Sequence, residues 1–599
     1  MDRAISKIER RGSHFTPGRA ALVALCITTI VPLLLLLLGP SLWATSARHQ
    51  RSLSAQPIRL RELLIVDTSS DDENPMHCSL RQAILTSNAA GGINNGCGQG
   101  TGFDAVNFNF SGTIKLGSAL PAITQNLIID GTTNTIAIDG AKTFQVLAVN
   151  SGATLALNDL TIQNGANSGG DGGGIGNLGT LTLTNSTISG NSAEFGGGII
   201  NHGTATVTNS TISGNSAENG TPFNADGGGI GNGGTLTVTN SAISGNSADY
   251  GGGISNFESG TATVTDSTIS GNSANGEEEV GGGIDNDGTL TVTNSTIAGN
   301  TASPAGDSGG GIVNEQFGTL TVTNSTIAGN SASDEGGGIF NAGNATFKNT
   351  IVANSTGGNC VPSAAPNAVL TSDGHNLSDD KTCAFAGTGD QNSTAAGLDP
   401  DGLQNKGGPT ETIALLPTSP AVDAVPQTPT NYCTEVDGTT PITTDQRGQP
   451  RPDPEDGPAG PCNIGAYEFQ APTPVPGKLK VSPTTLKFGD VAVNKPVAKT
   501  ITITNAGKTN KKNHPLPILI EMEGVNQTPS PFSVTMQCSD DELMPGGKGV
   551  PKNDTKCVAK VQFLPTQAVS YSGTMTIADN LAPNEMQTVQ IMGTGKPAK

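Results

Sequence analysis

From Thr143 to Phe347 the chain contains no lysine and no arginine, although 17 aspartates and glutamates fall in the same stretch. That absence argues against a phosphate-binding surface, because a wholly acidic region repels nucleic-acid backbones and anionic headgroups. Aromatic residues make up only 4% of the chain, with a single Trp, so large globular cores are few. Helix-forming runs are nearly missing as well, and no Gly-X-Y period accompanies the 81 glycines, which excludes collagen. There is no P-loop, Rossmann glycine pattern, Gly-X-Ser-X-Gly elbow or His-Glu-X-X-His. The triple glycines that do occur lack the following helix and Lys that phosphate binding requires.

What the chain has instead is a repeat. Gly-Gly-Gly-Ile recurs from Gly172, Gly196, Gly227, Gly251, Gly281, Gly309 and Gly336, at spacings of 24 to 31 residues. Most of the length variation sits in one place, between the "SGNSA" element and the next triple glycine. Such a period marks a solenoid with loops emerging along one face. Within a unit, "TLTVTNSTISGN" alternates at period two, which indicates strand. Three strands, at "GGGIxN", "TLTVT" and "STISGN", are expected to close a triangular coil, and coils stack about 4.8 Å apart. Ile188, Ile212, Ile243, Ile269, Ile297 and Ile327 then form an inward column. Leu183, Val207, Val238, Val264, Val292 and Val322 form another. Asn191, Asn215, Asn246, Asn272, Asn300 and Asn330 form a polar file of turn amides. Thr268, beside inward Ile269, is expected to face solvent.

The flanks differ. Arg3, Lys7, Arg10, Arg11 and Arg19 precede the apolar run Ala20 to Leu38, which reads as an export signal or an uncleaved N-terminal anchor. Eight cysteines outside that run fall into close pairs, Cys78/Cys97, Cys360/Cys383, Cys433/Cys462 and Cys538/Cys557, and an even count in an exported chain suggests disulfides. Ser79 and Gln82 fit a helix capping box, Leu80, Ala83 and Ile84 share one face, and Gly91 is placed to end that helix. From Lys478 onward there are 14 Lys and nine acids, in short alternating strands separated by Pro and Gly. That pattern predicts a β-sandwich. The expected organisation is an export segment at 1–47, an N-terminal cap at 55–120, repeats at 121–358, a closing region at 359–470, a Pro-rich linker at 471–477 and the sandwich at 478–597.

"CSLRQAI" (Cys78 to Ile84) resembles the signature of CSLREA-type N-terminal segments, with Gln82 in place of the usual Glu. The repeats resemble right-handed parallel β-helices of the pectate-lyase-like superfamily, in the style of polymorphic outer-membrane proteins. "GLQNKGGPTETIALLPTSPAVDA" and "DQRGQPRP…CNIGAYEF" resemble the choice-of-anchor Q region, and the C-terminal strands resemble an abnormal-spindle/Hydin-type immunoglobulin-like domain. The resemblance implies an all-β protein, a right-handed parallel β-helix followed by an immunoglobulin-like β-sandwich, exported from a bacterial cell. It implies no single activity.

A lyase needs a basic residue beside a uronate, and a hydrolase needs converging carboxylates. The array offers no base of the first kind. Asp171, Asp226, Asp249, Asp307 and Asp334 ride on loops of unequal length before the triple glycines. Asp285 and Asp287, which flank a turn, are the candidates for a weak Ca²⁺ site; no other metal or cofactor is expected. Asp445, Arg447, Arg451 and Glu468 read as an ion-paired corner closing the last coils. No catalytic residue is assigned. The expected function is a structural or adhesive rod, secreted or on the outer face of the envelope, whose partner is a polysaccharide or another cell-surface component. Nucleic acid is not expected, and membrane contact is confined to the N-terminal segment. The alternative is a polysaccharide-degrading enzyme.

Overall fold

The computed structural model describes residues 62–598 apart from 91–95, 218–224, 277–279, 304–307, 364–367, 471–473, 476–478, 506–513, 516–517, 524–530, 538–541, 544–555 and 580–581. The export or anchor segment at 1–47 therefore lies outside the described residues, as do Gly91, Asp307 and Cys538. Among the described residues no helix is long and apolar enough to cross a membrane.

Each repeat builds four strands rather than the expected three. One coil runs through Ile254–Asn256, Thr261–Thr265, Thr268–Ser270 and Ser273–Ala274. Like strands pair in parallel between successive coils and stack into four walls. The long wall, built on "TLTVT", has 12 strands; the side wall, built on "TIS", has 11; the glycine wall, built on "IxN", has nine; and the short wall, built on "SA", has seven. The fourth strand arises because Gly271, at φ +61°, turns the chain inside "SGN". Glycine enters that left-handed region without strain. A two-residue strand is too short to show a period, so the alternation misleads at that point.

The triple glycine has a steric cause. Gly251 has φ +61°, and a Cβ on Gly252 would lie 2.3 Å from the backbone oxygen of Ser273. A Cβ on Gly253 would lie 2.6 Å from the Gly283 oxygen of the next coil. The motif lets backbone pass against backbone, which explains why it carries no ligand chemistry.

The expected columns are in register. Ile243, Ile269 and Ile297 pair in sequence and are wholly buried, as are Val238, Val264 and Val292 beside them. The Asn191 to Asn330 file is a continuous ladder, each Nδ2 donating to the next Oδ1 at 2.9–3.0 Å. A second amide ladder runs from Asn177 through Asn201, Asn232, Asn256, Asn286 and Asn314 to Asn341, at 2.7–2.8 Å. It was legible in the Asn of every "GGGIxN". Buried amides bonded in this way satisfy groups whose isolation would cost roughly 1–3 kcal/mol each.

A helix, Leu80–Asn88, packs at the N-terminal end of the stack, its box closed by Ser79 and Gln82. Leu80, Ala83 and Ile84 join the β-helix core, so the open first coil is covered. The helix ends on Ala89. Disulfides join Cys78 to Cys97, Cys360 to Cys383 and Cys433 to Cys462. Cys557 is also disulfide-bonded. Toward the C-terminus, sheets of four and five strands share a core of Phe488, Phe532, Phe563, Ile501 and Ile591, which makes a β-sandwich. The expected all-β order, parallel β-helix then sandwich, is what the structure shows.

Candidate functional site

The outer faces of the coils do not remain open along the whole stack. Residues beyond the last coil turn back as a strap over the side wall, with a hairpin formed by Leu398–Gln404 and Thr412–Leu415. Gln446 anchors it. Its Oε1 accepts from Thr296 Oγ1 at 2.5 Å, and its Nε2 lies 2.9 Å from both Thr268 Oγ1 and Thr410 Oγ1. One coil further on, the amide of Ala466 donates to Thr326 Oγ1 at 3.0 Å. Thr268 is therefore only 2% exposed, and the expectation that it faces solvent is corrected. Period two correctly turns it away from the core, but the strap then covers it.

The edge between the long and side walls is tied down in the same way. Asn294 Nδ2 donates to the Thr444 carbonyl at 2.8 Å, and Asn349 Nδ2 to that of Tyr432 at 2.9 Å. Lys348 is buried, with Nζ 2.5 Å from Thr434 Oγ1 and 2.7 Å from the Glu435 carbonyl. Desolvation holds its pKa below the usual lysine value.

The charged corner expected at Asp445, Arg447, Arg451 and Glu468 forms inside the strap. Arg447 Nη2 lies 2.6 Å from Asp445 Oδ2, and its guanidinium sits 3.7 Å over the Tyr467 ring. Asp445 also accepts from the backbone amides of Arg447, Gln449 and Glu468. Arg451 donates to the carbonyls of Asn463 and Gly465 and faces Glu468 at 3.5 Å. Burial pushes the Glu468 carboxyl up to about 7, against the opposing pull of Arg451. Asp266, at the strap's edge, is pushed up to about 6, first by desolvation. Raised carboxyls also occur in active sites. Here Glu468 is closed from solvent and turned on Arg451 and the Asn463 amide.

Asp307 lies outside the described residues; the other candidate acids sit in different settings. Asp285 lies within the glycine-wall strand Ile284–Asn286, 1% exposed, and its register neighbours are Ser255 and Val313. A carboxylate ladder at that position has no second rung. Asp287 is half-buried in the following turn. Asp249 accepts the Ala225 amide at 3.1 Å, while Asp171 lies 3.9 Å from His202. Among the described residues no three His, Cys, Asp or Glu side chains are grouped to hold a metal.

The opening left by the strap is a groove of about 520 Å³ between the hairpin and the side wall. Gly271, Gly299, Ala298 and Ala328 form its floor, while Leu398, Asp399 and Leu403 form its rim. Asp399 is held below the usual carboxylate range by Lys406, whose Nζ lies 2.8 Å away. No local pattern in the sequence points to this groove, because floor and rim are at least 70 residues apart.

No family model matches the chain, and no curated protein does. Among solved structures, a PapD-like (ASH) domain of human CEP192 is similar at 14% identity and TM-score 0.14, over 23% of this chain and 99% of that one. The cedar-pollen allergen jun a 1 is similar at 13% identity and TM-score 0.21, over 55% of this chain and 76% of that one. At these scores neither likeness bears on activity. The class is defined by the chain's own geometry, a parallel β-helix with one wall strapped and the long wall largely bare.

Proposed function

We propose that this protein is an exported structural rod that contacts polysaccharide through the groove beside its strap. The observation that carries the reading is the use of buried polar groups: two amide ladders and the Gln446 clamp tie coil to coil and strap to wall. Such a network rigidifies without leaving a reactive group in the open. The three disulfides suit an oxidising, extracellular setting. The same proposal assigns the cap and the strap to the CSLREA and choice-of-anchor Q segments they resemble, and the sandwich to the abnormal-spindle/Hydin type. The test is incubation of the purified protein with a panel of neutral and acidic polysaccharides. Retention without new reducing ends is expected, weakened by Leu403→Asp at the groove rim. Depolymerisation of any member of the panel would replace the rod with the enzyme.

A further inference from the structure

The long wall has an outer face that no part of the described chain covers across its first two positions. In six successive coils its strands are Thr180–Thr184, Thr204–Thr208, Thr235–Thr239, Thr261–Thr265, Thr289–Thr293 and Thr319–Thr323. The first, third and fifth residues are Thr in every one, and all pair in register. The first rank is exposed and the middle rank half-buried between its neighbours. Thr293 and Thr323 of the last rank are covered, so the bare surface is at least two ranks wide and six coils long.

Solvation alone does not explain this uniformity. On the same strands the inward second position drifts between Leu and Ala, as at Leu236 and Ala262, yet the outward positions stay Thr. On the glycine wall the middle position, which is covered, changes from Gly231 through Ser255 and Asp285 to Val313, so the repeat does not hold every position constant. A merely wet sheet face would accept Lys, Glu or Gln equally well. What is kept is a two-dimensional lattice of one side chain, without charge.

We propose that the long wall binds ice. Parallel strands set the Thr about 4.8 Å apart across the wall, and alternate residues set them about 6.7 Å apart along it. Those spacings are close to the oxygen repeats on the prism faces of hexagonal ice. Thr is β-branched, so its rotamer is restricted, and packing between like neighbours holds it further. Each Thr then offers a hydroxyl to an ordered water and a methyl to the void beside it. A crystalline polysaccharide is the other ordered surface against which the experiment tests the lattice. This wall is separate from the groove, so the two readings fail independently.

The experiment uses the full chain in two assays, inhibition of recrystallisation in quick-frozen thin films and partition into a growing ice hemisphere. The wild type is expected to enter the ice and halt grain growth. Thr263→Lys, in the middle rank, should abolish both, whereas Thr211→Lys, half-buried on the open part of the side wall, should leave both intact. Thr206→Leu, which breaks the plane while keeping an uncharged strand, is the second variant should Thr263→Lys fail to fold. Exclusion of the wild type from ice, or equal loss in Thr211→Lys, overturns the proposal. Retention on microcrystalline cellulose or chitin that Thr263→Lys removes would also overturn it and assign the wall to a crystalline glycan.

Discussion

Thr211 and Thr296 occupy the same place in the repeat, each followed by the buried isoleucine of its coil. Thr211 is half-exposed; Thr296 is wholly buried, between Gln446 and Thr412. The same Thr-Val-Thr-Asn-Ser-Thr-Ile run thus meets water in one half of the stack and a strap in the other, where Ala298 stands in place of the open coil's Ser213. The difference shows that the coil decides which way a side chain points, whereas a segment 150 residues away decides what that side chain touches.

The comparison is broken most severely in the core, which both halves share. Ile269→Asp exchanges full burial for an unpaired charge and should cost more than about 4 kcal/mol. The measurement is cooperative thermal unfolding, and Ile212→Asp, in the open half, should lose as much. A clear inequality between them would mean that the strap, and not the coil, sets core stability.

Opening the Cys433–Cys462 loop of 29 residues acts on the strap alone and should cost about 3 kcal/mol. A Cys433→Ser/Cys462→Ser variant should therefore lose protection from amide exchange around Thr296 and Thr326 while keeping it around Thr211. Uniform loss along the stack would make the strap and the coils one cooperative unit.

Gln446→Ala leaves the buried hydroxyls of Thr268 and Thr296 short of a partner, an expected loss of about 1–3 kcal/mol. Thr211→Val, at the uncovered equivalent position, should stay within about 0.5 kcal/mol of wild type. Denaturant titration of the two variants measures the contrast directly.

The last expected effect is that of pH. Asp266 and Glu468 have pKa values raised from 3.8 and 4.5 to about 6 and about 7, so the folded chain binds those protons more tightly than the unfolded chain. The stability they contribute is fully present below the unfolded values and is lost as pH rises through about 6 and then about 7. The melting temperature should therefore fall between pH 5 and pH 8, and Glu468→Gln should flatten part of that fall. A rise over the same interval would contradict the sign.

Much of this protein could be read before any coordinate. The isoleucine and valine columns, the Asn191 file, the capping box and three of the four cysteine pairs follow from rules that act within a coil or between adjacent coils. Period two, a repeat near the length of one turn and short cysteine spacing are local quantities, and sequence carries them directly. The second amide ladder belongs with them, since its Asn recurs in every repeat.

The fourth strand and the strap are of another kind. The short wall depends on a left-handed glycine inside an apparently continuous alternation, a choice that only neighbouring coils make favourable. The burial of Thr268 depends on Gln446, 178 positions away, and the groove exists only where hairpin and wall face each other. The sequence by itself determined the stack, because each coil templates the next through contacts of one repeat length. Only the tertiary structure decided which stretches of that stack remain bare, because covering a surface is settled by long-range burial that no local period records.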